Sequence, residues 1–194
     1  MPTFADLAAR VLGTEPRLGP VRLIAIDGPS GAGKSSFAGR LAKAAGLPVV
    51  HTDDLLDGWD DQFTFWSRLE AQVLGPLRRG QPGTYQRYLW HRGRFGGVPV
   101  TVEPAVGVLL EGSTSARRVI RPELSFSIFV DAPGDVRWRR VVERDGGGDV
   151  AFQQYLERWH AAEQEHFALE ATAAHVDLMV DGAAENSGEE YERL

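Results

Sequence analysis

Apolar positions along the chain fall into short runs, separated by stretches in which they recur every three or four residues. The runs predict strands at 21–27 (VRLIAID), 47–52 (LPVVHT), 106–111 (VGVLLE), 125–131 (SFSIFVD) and 176–181 (VDLMVD). Each is short and apolar almost throughout, as expected of a strand buried on both faces. Helical periodicity predicts helices at 33–45, 61–79, 113–119, 134–145 and 149–174. The last is the longest and carries Tyr155, Trp159, Ala162 and His166 on one side. A short amphipathic helix is expected at the N-terminus. Alternating strands and helices of this kind predict an α/β fold, a parallel sheet flanked by helices. Residues 80–105, rich in glycine and arginine, read mostly as loop, and a loop of that length is usually functional. The run DGGGD at 145–149 breaks the chain between two helices, and the tail from Gly182 reads as weakly ordered.

Composition narrows the class. The 194 residues suit one domain, and 43% hydrophobic with 25% charged residues is ordinary for a globular chain. A net charge of −6 argues against a general nucleic-acid binder, which needs a basic face. There is no cysteine, so disulfides, thiolate nucleophiles and Cys-based zinc sites are excluded. No apolar run approaches the ~20 residues of a membrane-spanning helix. The N-terminus has no basic segment or cleavage site of a secretory signal. The expectation is a cytoplasmic protein without a membrane or nucleic-acid partner, and self-association into a homo-oligomer stays open.

Lysine occurs only twice, and Lys34 falls in the stretch LIAIDGPSGAGKSS at 23–36. There a buried-looking strand runs into a Gly-rich turn and then a helix. Gly28-Pro29-Ser30-Gly31-Ala32-Gly33-Lys34-Ser35 fits G-x-x-x-x-G-K-[ST] in the strand–turn–helix context that this phosphate-binding loop requires. Its glycines let backbone amides curl round an anion at a helix N-terminus. The expected nucleotide contacts are Gly28, Ser30, Gly31, Ala32, Gly33, Lys34, Ser35 and Ser36. Lys34 would bring charge to the β- and γ-phosphates, and the Ser35 hydroxyl could ligate Mg²⁺. The base-reading N-K-x-D motif of GTPases is absent, since the single asparagine, Asn186, has no lysine near it. A small kinase using ATP and Mg²⁺ remains.

Other residues agree. HTDDLLDGWDD, at 51–61, follows the second strand with five aspartates. A carboxylate at a strand's C-terminal end lies where open α/β sheets bind ligands, and a kinase needs one to take the acceptor hydroxyl's proton. Asp53 is the expected base, with Asp54 the alternative. Glu111, at the end of VGVLLE, would face Mg²⁺ with Ser35 and Asp53, or cap a helix. Arg137, Arg140 and Arg144 lie near one helical face. Arg144 and Arg140 are the candidates for stabilising a transferring phosphoryl group, and DGGGD for the hinge of a lid.

These residues together resemble the uridine kinase-like P-loop kinases, which include relatives of phosphoribulokinase and pantothenate kinase. The resemblance runs from about residue 21 to 182 and rests on the Gly-rich turn, Asp53, Val108-Leu109-Leu110-Glu111-Gly112 and FVDAPGDVRWRRVVERD at 129–145. It implies a three-layer P-loop NTPase fold with a five-stranded parallel sheet and a small lid. It implies one domain over 1–194, an acceptor loop at about 54–105 and a lid at about 140–150. It further implies ATP–Mg²⁺ as donor, Asp53 as base, Glu111 near the metal, Asp60 on acceptor hydroxyls and Arg144 on the phosphates. The chain departs from the family on the acceptor side. Leu55 and Leu56 replace an aromatic pair, and Tyr88-Leu89-Trp90 lacks the family's central Asp. His91 is displaced, Val141 stands for an arginine, and Gly146–Gly148 replace lid arginines.

The expected function is therefore transfer of the γ-phosphoryl group of ATP to a small-molecule hydroxyl, with a nucleoside-like acceptor as first guess. Trp59, Asp60, Tyr88, Trp90 and His91 are the expected acceptor contacts. The alternatives are a specialised phosphotransferase acting on an antibiotic or another metabolite, and a regulator that binds ATP without turnover.

Overall fold

The computed structural model describes residues 2–145, 150–184 and 188–194. Thr3 caps helix α1 (Phe4–Leu12), its hydroxyl accepting the Asp6 amide, and Phe4, Leu7, Ala8 and Val11 form its buried stripe. Strand β1 (Arg22–Asp27) is buried beyond its first residue and leads into helix α2 (Lys34–Ala45). Strand β2 (Val49–His51) is short and gives way at once to a 3₁₀ turn over Thr52–Leu55.

The helix expected from residue 61 starts later. Asp61 instead accepts from the Asp57 amide, the Thr64 hydroxyl and Arg68, which holds an irregular turn. Helix α3 (Trp66–Leu69), a π-helical segment (Glu70–Leu74) and helix α4 (Gly75–Arg78) follow without a break. The stretch read as loop contains an antiparallel hairpin, strands β3 (Gly83–Leu89) and β4 (Arg94–Val102). Tyr85 and Val102 are buried at its base, so two side chains anchor what glycine and arginine content had suggested was irregular.

Strand β5 (Gly107–Glu111) is wholly buried. The helix expected at 113–119 is replaced by turns, because the carboxylate of Asp27 accepts the amides of Thr114 and Ala116 and draws the chain inward. Strand β6 (Leu124–Asp131), helices α5 (Gly134–Asp145) and α6 (Val150–Glu170), and strand β7 (Leu178–Asp181) complete the alternation.

The five predicted strands form one parallel sheet in the order β2-β5-β1-β6-β7. Period-two alternation divides β1 between two cores, Leu23 and Ala25 on one face, Ile24 and Ile26 on the other. The tail departs from its expectation too. Tyr191 is fully buried against Phe4 and Phe37, and main-chain bonds join residues 189–194 to both the N-terminus and β7. Gly146–Gly148, the expected hinge and lid segment, lie outside the described residues.

Candidate active site

The Gly-rich turn, Asp53 and Glu111 gather at the C-terminal ends of β1, β2 and β5, where open parallel sheets bind ligands. The turn after β1 wraps tightly. Gly28 has φ +140°, and a Cβ there would lie 2.1 Å from the Val130 carbonyl oxygen. Gly31, at φ +76°, packs so close to α5 that a Cβ would meet the Arg137 carbonyl oxygen at 2.4 Å. Only glycine fits such approaches. The first turn of α2 is closed by the Phe37 amide donating to Gly33. The amides of Lys34, Ser35 and Ser36 thus precede any intrahelical partner and suit an anion.

Beneath the turn, Asp27 is fully buried and accepts from the amides of Gly28, Thr114 and Ala116. Burial pushes its carboxyl up to about 6, against the pull of those amides and of Lys34. It braces the loop from below. Lys34 donates to the Pro29 carbonyl oxygen at 3.0 Å and reaches Ser113 Oγ at 3.4 Å. Ser35 Oγ donates to Glu111 Oε1 at 3.1 Å, while Glu111 Oε2 lies 2.5 Å from His51 Nδ1. The pair raises His51 above its ordinary value, chiefly through the hydrogen bond. Burial works to raise Glu111, but His51, Lys34 and Ser35 outweigh it and hold the carboxyl low. Ser35 and Glu111 fit the protein's share of a Mg²⁺ site. Among the described residues no cluster of three or more His, Asp or Glu side chains suited to a metal occurs.

A cleft of about 440 Å³ opens beside these groups, lined by Ser30, Lys34, Ser35, His51, Asp53, Glu111, Ser113 and Arg144 on its polar side. Leu56, Trp59, Trp90, Val141, Leu156 and Trp159 supply its apolar side. Asp53 is open to water as a residue, yet surrounding protein raises its carboxyl above the usual range, and the Glu111 charge adds to this. Lys34 and Arg144 oppose the rise. Its neighbour Asp54 also borders the cleft but is engaged by Arg87 at 3.1 Å and by the Tyr85 hydroxyl at 3.4 Å.

Not every expected residue converges there. Arg144 lines the cleft, bonded to Asp145 through two nitrogens. Arg140 does not reach it. Its Nη1 donates to the carbonyls of Gly31 and Gly182, and it borders a second cavity of about 300 Å³ with Phe4, Gly33, Ser36 and Arg40. Trp59 and Trp90 stand edge to face at 4.9 Å in the apolar wall of the cleft. Tyr88 packs behind Trp90, Asp60 accepts from the Tyr155 hydroxyl, and His91 is exposed on the hairpin, all three away from the cleft lining.

The structure adds four residues that sequence reasoning missed: Asp27, His51, Ser113 and Glu163. Asp27 and His51 end strands beside recognised motif residues, a positional signal that was available. Glu163 had none, because its partners Ser30 and Ser113 lie 133 and 50 residues away along the chain.

No family model matches the chain, and no curated protein sequence does. Solved structures do. A possible uridine kinase from Bacillus stearothermophilus is 19% identical with a TM-score of 0.65, over 91% of this chain and 96% of that one. A candidate fructose transport system kinase from Silicibacter sp. TM1040 is 22% identical with a TM-score of 0.59, over 92% and 99%. D-glycerate 3-kinase from Cryptococcus neoformans is 14% identical with a TM-score of 0.53, over 96% and 97%. What the chain has in common with these proteins is their fold, a five-stranded parallel sheet flanked by helices, along nearly its whole length.

Proposed function

We propose that the protein is an ATP-dependent kinase that phosphorylates a hydroxyl of a small polyol or glycosylated acceptor. The observation carrying this reading is that Asp53, Lys34, Ser35 and Glu111 border one cleft whose other wall is Trp59, Trp90 and Trp159. Asp53 takes the proton of the acceptor hydroxyl as its oxygen attacks the γ-phosphorus, and the β–γ bridging oxygen leaves with ADP. Asp54 is the poorer base, since Arg87 and Tyr85 already engage it. Lys34, Arg144 and the amides at the start of α2 balance phosphate charge. Mg²⁺, bound through Ser35 and Glu111, would neutralise the β- and γ-oxygens. The second cavity, bordered by Gly33, Ser36 and Arg140, would take the rest of the nucleotide.

The acceptor class follows from the wall. Indole faces and aliphatic side chains suit the C–H faces of a sugar or polyol. Leu56 and Val141 offer no hydrogen bond to a pyrimidine, and unpaired polar groups in a pocket cost orders of magnitude in selectivity.

ADP release should be measured against uridine, cytidine, sugars, polyols and aminoglycoside-like alcohols, with Lys34→Ala as the inactive control. We expect turnover on a polyol or glycosylated compound, and uridine kcat/KM below the ~10⁴ M⁻¹s⁻¹ floor of ordinary enzymes. Uridine kcat/KM at or above that floor would restore a plain uridine kinase. ATP binding without turnover of any acceptor would favour a regulator.

A further inference from the structure

Helix α6 carries a carboxylate that the chemistry above does not use. Glu163 is 1% exposed, as buried as the apolar core. Its carboxylate accepts the Ser30 amide at 3.0 Å, the Ser30 hydroxyl at 2.7 Å and the Ser113 hydroxyl at 2.7 Å. One turn earlier on the same helix, Trp159 Nε1 donates to Ser30 Oγ at 3.3 Å while its ring lines the acceptor cleft.

The protons of this cluster can be assigned. Each hydroxyl has one hydrogen to give. Ser113 Oγ also lies 3.1 Å from the Gly28 carbonyl oxygen, but Glu163 Oε1, at 2.7 Å, is the nearer acceptor. Ser113 therefore donates to Glu163 and accepts from Lys34, and Ser30 donates to Glu163 and accepts from Trp159. Two branches meet at one carboxylate, one from the phosphate-binding lysine, the other from the acceptor wall. A phosphate is a better acceptor for Lys34 than Pro29 and Ser113, so its arrival would draw Lys34 forward and free one lone pair of Ser113. Everything bonded to Glu163 would then readjust.

We propose that Glu163 is a positioning residue that ties the phosphate loop to the acceptor wall, so that nucleotide binding at Lys34 is felt at Trp159. This rests on the kinase reading given above.

The test uses the full chain labelled with 5-fluorotryptophan, the Trp159 resonance being assigned by its loss in Trp159→Phe. Mg–ADP is titrated while its binding is measured in parallel by calorimetry. In the wild type, the Trp159 resonance shifts as Mg–ADP binds. In Glu163→Gln the nucleotide still binds but that shift is lost. Ser30→Ala removes the shared hydroxyl and keeps the loop's backbone amide, so with Mg–ADP binding verified by the same calorimetry it gives the same loss even if Glu163→Gln fails to fold. A wild-type resonance that stays put while Mg–ADP binds, or an equal shift in Ser30→Ala, overturns the inference and leaves the kinase reading standing. Failure of the wild type to bind Mg–ADP at all overturns both.

Discussion

Asp53 and Asp54 are adjacent and chemically identical, yet their surroundings separate them. Asp54 is held by Arg87 and Tyr85, whereas Asp53 faces the cleft with its carboxyl raised by desolvation and by Glu111. As a base Asp53 must be ionised, so activity should fall as pH drops through its pKa. The acid limb of kcat/KM, which reports the free enzyme, is expected above the ordinary carboxylate range. Asp53→Asn should lower kcat by roughly 10²–10⁴-fold and abolish that limb, with little change in ATP affinity. A larger loss in Asp54→Asn would reverse the assignment. Lys34 shows how far this scale was legible: the motif identified it, but only the structure revealed that it rests on Pro29 and Ser113.

Among the elements, α5 divides the arginines that its sequence groups together, with Arg144 at the cleft and the other two elsewhere. Three arginines spaced along one helical face read as a cluster aimed at a phosphoryl group. In the fold, Arg140 instead bridges the Gly31 carbonyl in the Gly-rich turn and the Gly182 carbonyl after β7, and Arg137 donates to the Ala132 carbonyl. Arg140→Met should therefore cost about 1–3 kcal/mol of stability, the penalty of leaving carbonyls without their donor. It should also raise the KM for ATP while leaving acceptor KM unchanged. Urea denaturation and steady-state kinetics with both substrates varied would check this, and a collapse of kcat alone would return Arg140 to a catalytic part. The hairpin of β3 and β4 was illegible for a related reason. Its stability comes from Tyr85 and Val102 meeting a core built elsewhere, which local glycine and arginine content cannot reveal.

At the level of the whole molecule, the two ends of the chain close on each other. Phe4, Phe37 and Tyr191 make a three-ring contact with centroids 5.0–5.7 Å apart, and Tyr191 donates its amide to Pro2. Phe4 and Phe37 also border the cavity beside the Gly-rich turn. Tyr191→Ala should destabilise the fold by about 3–5 kcal/mol, the usual range for deleting a buried aromatic ring. Thermal or denaturant unfolding reads this directly, and a change below 1 kcal/mol would mean that the tail is not part of the cooperative unit.

The sequence alone determined the features whose physics is local. Short apolar runs specify strands, and a glycine run between strand and helix specifies a tight turn at the sheet's edge. A carboxylate at a strand end is carried to the ligand-binding edge wherever that strand joins the sheet. Those rules yielded all five sheet strands, the loop from Gly28 to Ser35, Asp53 and Glu111. The tertiary structure alone decided the pairings between distant residues: His51 on Glu111, Arg140 on Gly182, and Glu163 beneath Ser30. A buried polar group must find a partner, but nothing in its neighbours along the chain says which one the packing of helices on the sheet will supply.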